Sequence, residues 1–256
     1  MQRKVILFVL CGVLALTGQA MAETLEEILA KNLEVRGGKD AILAVQSMRS
    51  TGTMRMGGSA AGALEVPFTV EFKRPGMVRI EFTMQGMTAV QAYDGEVGWA
   101  VMPFLGRTEP EEMAEDRLKD IKDQSDFDGI LVNYEEKGHT VELVGTEDVD
   151  GTSAFKIKVT KDNGDVVNLY LDEEYYIEFK ADTTREVQGN EMEISTVFGD
   201  YKEVEGLLLA HSMEMSFGGN PAEQVITIAN TTLNVEIDDD RFAMPEPKAT
   251  EEEAVE

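Results

Sequence analysis

The alternation of apolar and polar residues after Ala63 constrains the fold of this chain more strongly than any other feature. Every second residue is apolar along 64–72, and the same two-residue period resumes along 78–84. The turn residues Arg74-Pro75-Gly76 separate the two stretches. Because successive side chains of a strand point to opposite faces of a sheet, the pattern predicts an antiparallel hairpin that buries one face only.

Extended segments continue through most of the remaining chain. We count nine to eleven strands in total, with later ones at 155–159, 167–171, 177–187, 191–198, 207–217 and 225–233. Since strand follows strand, we expect an antiparallel meander, and a sheet of this width must curl. The predicted fold is mainly β with a few helices, and a curled sheet of eight or more strands has room for a small ligand.

Three helices are predicted beside these strands. A capping-box pattern at Thr24–Glu27 begins the first helix, and Gly37-Gly38 ends it. A second, short helix continues to about Gln46. An acidic helix is predicted over 108–128, with Pro110 near its start. Its apolar face is thin, so we expect a surface helix or a movable lid.

The first 22 residues have the pattern of an export signal. Two basic residues precede an apolar run from Val5 to Leu16, and Ala20-Met21-Ala22 matches a signal-peptidase site. The run is short for a membrane span. We therefore predict that residues 1–22 are cleaved after Ala22 and that the protein is exported without a stable membrane anchor. Lipidation at Cys11 is the competing interpretation.

The charge of the chain excludes several classes of partner. The chain has 49 acidic and 23 basic residues, for a net charge of −26. Nucleic acids and anionic membrane surfaces should therefore repel it. Two interpretations stay open: the charge gives solubility alone, or it belongs to a carrier that must not adhere to membranes. The acidic residues 246–256 are predicted to be a disordered tail.

A turn at Asp94-Gly95 leads into the apolar segment that holds the single tryptophan. Trp99, Met102, Phe104 and Leu105 either fill a core or line a pocket for an apolar ligand. Period two places Trp99 and Met102 on opposite faces, unless Pro103 breaks the register.

A second apolar face is predicted near the end of the chain. It alternates along one stretch as Leu207, Leu209, His211, Met213, Met215 and Phe217. Methionine is frequent, with 14 residues, and its flexible thioether adapts to partners of irregular shape. These methionines either fill gaps in a core or contact acyl chains.

The sequence shows no pattern for catalysis or for a metal site. It contains no Gly-x-Ser-x-Gly and no His-Glu-x-x-His, and its two histidines, His139 and His211, are far apart in sequence. The acidic segments 147–151 and 162–165 are interpreted as hairpin turns, because neither continues as a calcium loop. We predict no cofactor and no enzymatic activity; an enzyme with a polar cleft is the alternative.

Several of these features, in this order, resemble the LolA/LolB superfamily, the outer-membrane lipoprotein-sorting proteins of Gram-negative bacteria. The resemblance rests on two N-terminal helices and on the motifs Phe72–Pro75, Tyr93–Gly95 before Trp99, Pro103-Phe104 and Arg241–Pro245. It implies that residues 23–245 form an unclosed antiparallel β-barrel, or half-barrel, with a helical lid over a hydrophobic cavity.

The resemblance also implies a function. A soluble carrier of this kind would take the acyl chains of lipoproteins, or lipids, from an inner-membrane lipoprotein-releasing transporter and pass them to an outer-membrane receptor. Such a carrier would be periplasmic and monomeric. Arg74 matches the arginine that ties the strand to the lid when the cavity is empty. The alternative is an envelope stress sensor or protein-binding module on the same fold.

The cavity-lining residues follow from the period-two faces and from this resemblance. The predicted ligand-binding residues are Val78, Ile80, Phe82, Met84, Trp99, Phe104, Leu209, Met213, Met215 and Phe217.

Overall fold

The computed structural model describes residues 23–57, 63–187, 190–219 and 224–246. The predicted signal 1–22 and almost all of the predicted tail 246–256 lie outside these residues. Within them the helices are α1 (Leu25–Val35), α2 (Lys39–Ala44) and α3 (Glu115–Gln124), and two 3-10 helices are η1 (Pro103–Leu105) and η2 (Asp239–Arg241).

Fifteen strands are present among the described residues. They are β1 (Ser47–Met56), β2 (Leu64–Lys73), β3 (Met77–Met84), β4 (Met87–Tyr93), β5 (Gly98–Met102), β6 (Arg107–Glu112), β7 (Thr140–Val149), β8 (Thr152–Thr160), β9 (Val166–Asp172), β10 (Glu178–Val187), β11 (Asn190–Gly199), β12 (Lys202–Val204), β13 (Leu207–Leu209), β14 (Ser212–Phe217) and β15 (Gln224–Leu233).

Thirteen of these strands form one antiparallel sheet. Its order is β6-β5-β4-β3-β2-β1-β15-β14-β11-β10-β9-β8-β7, and β12 and β13 form a separate two-stranded ribbon. Within the described residues the edge strands β6 and β7 do not pair with each other, so the barrel is unclosed. The predicted fold class, a mainly β half-barrel, is confirmed, although the sequence underestimated the number of strands.

The strand register brings the apolar residues of neighbouring strands together on one face. Phe72 lies opposite Val78, and Phe68 lies opposite Phe82. The predicted hairpin therefore has the expected register. We call this face, which also carries the three α-helices, the inner face of the sheet.

Each helix covers a separate part of the inner face. Helix α1 packs Ile28 and Leu29 onto β7–β10, and α2 packs Ile42 beside the β12–β13 ribbon. Helix α3 packs Ile121 onto Val78 and Tyr93 of β3 and β4. The capping box predicted for α1 is present, since the Thr24 hydroxyl accepts from the backbone N–H of Glu27. The three short helices thus cover only parts of the inner face of a much wider sheet.

The acidic segment 108–128 differs from its predicted single helix. Its first part belongs to β6, which pairs with β5 at the edge of the sheet, and α3 begins only at Glu115. Proline lacks a backbone N–H, so Pro110 is tolerated on an edge strand. The correct helix start lies five residues beyond this proline.

The predicted strand 207–217 is also interrupted. Leu207 and Leu209 belong to the β12–β13 ribbon, while Met213 and Met215 belong to β14 of the main sheet. Between them the backbone N–H of His211 bonds to the carbonyl of Gly199 at 3.1 Å. The period-two pattern continues across this break, which is why the sequence did not reveal it.

The C-terminal segment crosses the opposite, outer face of the sheet. The Trp99 indole N–H donates to the carbonyl oxygen of Phe242 at 2.7 Å, and the Phe242 side chain is fully buried. Trp99 pairs with Ala92 across the β4–β5 ladder and not with an inner-face residue. Trp99 therefore anchors the C-terminal segment, and it does not face the helices.

A buried carboxylate joins the same segment to the sheet. Glu71 is only 2% exposed and accepts from Arg49 at 2.7 Å and from Arg241 at 2.8 Å. Burial raises the pKa of the Glu71 carboxyl, but the bonds and charges of Arg241 and Arg49 outweigh this effect, so the pKa lies below its ordinary value of 4.5. The charged carboxylate therefore stabilises the fold.

Truncation of Phe242 tests the outer-face anchor. Phe242→Ala should lower the free energy of unfolding by about 3–5 kcal/mol, because it leaves a cavity at a fully buried ring. The matched variant Phe82→Ala removes a partly exposed ring and should cost less than about 2 kcal/mol. Urea denaturation followed by circular dichroism measures both values. Equal losses would contradict the burial of Phe242.

The lowered pKa of Glu71 predicts how stability changes with pH. A carboxyl with a lowered pKa stabilises the fold above its unfolded pKa of about 4.3, and this stability is lost as the pH falls through the folded pKa. Glu71→Gln should therefore cost about 1–3 kcal/mol at pH 7, and its difference from wild type should shrink as the pH falls below about 4.

The control for this experiment is Glu65→Gln, which changes an exposed carboxyl on the same strand. It should alter the free energy of unfolding by less than about 0.5 kcal/mol. A Glu71→Gln deficit that stays constant between pH 7 and pH 3 would show that the carboxylate charge contributes nothing.

Candidate functional site

The helices leave a large apolar part of the inner face outside the three buried clusters. Its side chains lie on β1–β5, β11, β14 and β15, and they are partly exposed. We call this surface the open half of the inner face. Its apolar members include Met54, Met56, Phe68, Phe82, Met84, Met87, Met102, Phe104, Met192, Ile194, Met213, Met215, Phe217, Ile226 and Ile228.

The open half is continuous from strand to strand. Phe68 pairs with Phe82, and the Phe82 ring lies 5.7 Å from the ring of Phe104 in η1. On the far side of β1, Met54 pairs with Ile226, which in turn pairs with Met213. A ligand lying across these strands would meet a mainly apolar surface, interrupted at Gln224, whose side-chain amide donates to the Met54 sulfur at 2.6 Å.

The structure brings six of the ten predicted lining residues together on the open half. They are Phe82, Met84, Phe104, Met213, Met215 and Phe217.

The other four predicted lining residues lie elsewhere. Val78 is fully buried beneath α3, and Ile80 packs beside it. Leu209 lies beside the β12–β13 ribbon in the cluster under α2. Trp99 lies on the outer face, because the period-two register of β5 turns its indole away from the helices. Val78 can be reached only if α3 moves, whereas Ile80 and Leu209 are partly exposed beside the helices.

The methionines of the described residues lie outside the buried core, although Met48 and Met113 pack against its edges. Every methionine among the described residues is partly exposed, and none belongs to the buried part of a cluster. A residue that merely fills gaps in a core would be buried. This distribution favours contact with something outside the fold over gap filling.

Arg74 joins three segments at the part of the inner face that the helices cover, which we call the closed half. Its Nε donates to the carbonyl of Val45 at 2.7 Å, and its Nη2 donates to the carbonyl of Ile42 at 3.3 Å. Its two Nη atoms also donate to the Asp128 carboxylate at 2.9 and 2.5 Å. The guanidinium therefore bonds the last carbonyls of α2 and the loop after α3 at once. We call this arrangement the Arg74–Asp128 latch.

A second arginine and an aromatic ring support the latch. The Arg36 Nη2, at the end of α1, donates to the backbone carbonyl of Asp128 at 2.7 Å. The Arg74 guanidinium lies 4.9 Å from the centre of the Phe127 ring. The end of α1, the end of α2 and the loop after α3 therefore all meet at Asp128 and Arg74.

Little space remains beneath the latch. The apolar cavity between α2, the loop and the β12–β13 ribbon has a volume of about 20 Å³ and is lined by Ile42, Val45, Met48, Phe127 and Leu207, among others. This is close to the minimum for one water molecule. The closed half therefore has no room for an acyl chain unless the latch opens.

A larger, charged cleft of about 420 Å³ lies beside the latch. Two of its three lysines are paired with carboxylates: Lys137 bonds Asp126 at 2.6 Å, and Lys161 bonds Asp123 at 2.8 Å. The third, Lys122, has its Nζ 5.6 Å from the centre of the Tyr93 ring. Burial lowers the pKa of His139 at the cleft wall, and its Nδ1 accepts from the backbone N–H of Asp162 at 3.3 Å. The cleft is balanced in charge.

The two histidines of the sequence do not meet. His139 lies at the cleft, while His211 is buried, with its Nδ1 2.9 Å from the carbonyl oxygen of Leu209. The described residues contain no group of three His, Cys, Asp or Glu side chains that could hold a metal ion. Among the same residues, each helix is too short or too polar to cross a lipid bilayer.

The role of Asp128 as the partner of Arg74 was not predicted from the sequence. It is one of 49 acidic residues, and nothing in its immediate sequence distinguishes its carboxylate from its neighbours. The only local signal was the Asp128-Gly129 pair, which marks a turn. Gly129 has a φ of +95°, and a Cβ there would lie 3.1 Å from the Arg36 guanidinium. The glycine thus makes room for the second arginine of the latch.

Comparison with solved structures identifies the architecture. A DUF1329 family protein from Desulfovibrio piger matches with a TM-score of 0.63 at 14% identity, over 87% of this chain and 98% of that chain. A LolA superfamily protein from Nitrosomonas europaea matches with a TM-score of 0.60 at 15% identity, over 87% of this chain and 98% of that chain.

A third structure is a domain from Vibrio parahaemolyticus assigned to the outer membrane lipoprotein-sorting proteins. It matches with a TM-score of 0.57 at 13% identity, over 84% of this chain and 97% of that chain. No protein-family model and no curated protein matches the sequence. The chain therefore has a LolA-like fold, as the sequence resemblance predicted.

Breaking the latch should loosen α2. Asp128→Asn replaces a carboxylate that accepts two charge-assisted bonds, so amide hydrogen exchange along Lys39–Val45 should become about tenfold faster. The control is Asp239→Asn, which breaks the Lys73–Asp239 ion pair away from the latch. Hydrogen-exchange mass spectrometry measures both. Unchanged exchange in α2 after Asp128→Asn would show that the latch does not hold this helix.

Proposed function

We propose that this protein is a periplasmic carrier that binds the acyl chains of lipoproteins, or lipids, on the inner face of its half-barrel and transfers them toward the outer membrane. The observation that carries the proposal is the open half: a continuous, partly exposed apolar surface on a chain whose net charge is −26. Exposed apolar patches of this kind mark binding sites in soluble proteins.

The chemistry of the open half suits an acyl chain. Phenylalanine and methionine are its most frequent residues. On β3 and β14, none of the residues that face the inner side of the sheet is a lysine or an arginine. Flexible thioethers adapt to a chain that has no fixed shape. Burial of each methylene contributes about 0.8 kcal/mol, so binding strength grows with the length of chain taken up.

The latch gives a simple route to a larger site. Charge-assisted hydrogen bonds contribute about 1.5–3 kcal/mol each, and Arg74 makes two of them to Asp128. The free energy lost when both of these bonds break is offset by burial of roughly four to eight methylenes of the acyl chain. In this mechanism an acyl chain first binds the open half and then displaces α2 and α3, which exposes Val78, Ile80 and Leu209.

We propose two membrane partners for this cycle by analogy with lipoprotein-sorting proteins of the same fold. An inner-membrane lipoprotein-releasing transporter would load the carrier, and an outer-membrane receptor would unload it. A strongly acidic surface keeps the carrier away from anionic membranes between the two steps. We propose that it acts as an exported monomer and is not an enzyme.

The alternative function is protein binding on the same surface. Methionine-rich apolar grooves also bind amphipathic helices, because thioethers repack around different side chains. A sensor or adaptor would use the open half in this way without transferring lipid. Binding of a free fatty acid in the absence of any protein partner distinguishes the two functions.

A charge placed in the open half tests the carrier function. Phe82→Glu should weaken binding of a fluorescent fatty acid by at least about 100-fold, because a carboxylate would be buried against the acyl chain. Thr83→Glu places the same charge on the neighbouring, exposed residue of β3, and it should change the dissociation constant by less than about twofold. Fluorescence titration measures both constants.

Two outcomes would count against the proposal. Wild-type protein that fails to bind any long-chain fatty acid would favour the protein-binding function. Equal affinity in wild type and Phe82→Glu would place the ligand away from the open half.

A further inference from the structure

The methionines of this protein are concentrated on the open half of the inner face. On β3, β4 and β5 they are Met84, Met87 and Met102; on β1, β11 and β14 they are Met54, Met56, Met192, Met213 and Met215. Met84 and Met87 lie directly opposite each other in the ladder. The other described methionines are at the covered part of the inner face, on the outer side of β3 or in the C-terminal segment.

These thioethers are the most readily oxidised groups that the described residues offer. Each is partly exposed, so a small oxidant in water can reach it. The only cysteine of the sequence is Cys11, inside the predicted signal, so no thiol among the described residues competes for the oxidant. The side chains that are oxidised most readily are therefore also exposed to the oxidant, and they lie on the surface that we assign to ligand binding.

We propose that the open-half methionines form a reversible oxidation site, and that their conversion to methionine sulfoxide releases the acyl ligand. This inference rests on the proposed function, since it concerns regulation of the same site. The oxidant class is reactive chlorine, represented by hypochlorous acid.

The chemical step is a two-electron oxygen transfer. The sulfur lone pair attacks the oxygen of hypochlorous acid; the S–O bond forms as the O–Cl bond breaks. Chloride leaves, and the hydroxyl proton passes to water. The sulfur is oxidised by two electrons and the oxidant is reduced by two. A methionine sulfoxide reductase reverses the change with electrons from thiols.

The physical consequence is a change in the polarity of the surface. A sulfoxide oxygen is a strong hydrogen-bond acceptor, and its neighbours on the open half are mostly apolar side chains such as Phe82 and Ile226. An acyl chain laid over it would separate that oxygen from water without replacing its hydrogen bond. Several sulfoxides on one surface would therefore favour water over the acyl chain.

The first part of the experiment maps oxidation. The folded protein is treated with substoichiometric hypochlorous acid, and peptide mass spectrometry follows each methionine. Open-half methionines such as Met84 and Met213 should be oxidised, and prior loading with palmitate should protect them. Met77, on the outer side of β3, is the internal control, and its oxidation should not depend on palmitate. Equal protection of all sites, or none, would overturn the proposal.

The second part measures binding. Oxidised wild type should bind a fluorescent fatty acid at least about tenfold more weakly than untreated wild type, and a methionine sulfoxide reductase should restore the affinity. In a variant with all eight open-half methionines replaced by leucine, oxidation should change the dissociation constant by less than about threefold relative to the same variant before treatment. Met77→Leu is the matched control and should remain as sensitive as wild type.

The outcomes separate this inference from the carrier function. Untreated protein that binds no fatty acid would overturn both. Untreated protein that binds, and keeps its affinity after the open-half methionines are oxidised, would overturn the oxidation site alone. Loss of binding in wild type and in the eight-leucine variant alike would show that oxidation acts through another residue.

Discussion

The structure depends on one constraint: the two-residue alternation that begins in the β2–β3 hairpin recurs along most strands of a thirteen-stranded sheet. Such a sheet carries apolar side chains on its inner face over most of its width. The helices available to cover it are short, with 11 residues in α1, 6 in α2 and 10 in α3. They cover only part of the face, and the remainder stays partly exposed. The candidate site is thus the portion of the apolar face that the chain does not cover with its own helices.

Charged residues hold the two faces in different ways. On the outer face, Glu71 is buried between Arg49 and Arg241, and the neighbouring Phe242 is fully buried, so the C-terminal segment is part of the stable core. On the inner face, Arg74 holds α2 and Asp128 through a few hydrogen bonds over a cavity of about 20 Å³. A few polar bonds can break without unfolding the sheet. We propose that this difference lets α2 move when a ligand replaces its apolar contacts, while the half-barrel keeps its shape.

Sequence patterns predicted the parts of this structure that local periodicity determines. The hairpin carrying Phe82 and the capping box of α1 could both be anticipated in this way, whereas the expectation for Arg74 came from the family resemblance and not from local periodicity. The split of 207–217 could not, because the alternation of side chains continues through the break near His211. Asp128 is set apart only by long-range contacts, which a pattern of neighbouring residues does not contain. Trp99 was assigned to the cavity for its apolar character, although its position in the register already turned it to the outer face.

The most direct test of a carrier is to identify what the protein holds when it leaves its host. The mature protein would be purified from the periplasm of its own host without detergent and examined by native mass spectrometry. A carrier should show, besides its bare mass, an added mass of an acylated lipid or lipoprotein, which should disappear in Phe82→Glu. A bare mass only, together with no uptake of added acyl lipid, would contradict lipid transport and leave protein binding as the function of the open half.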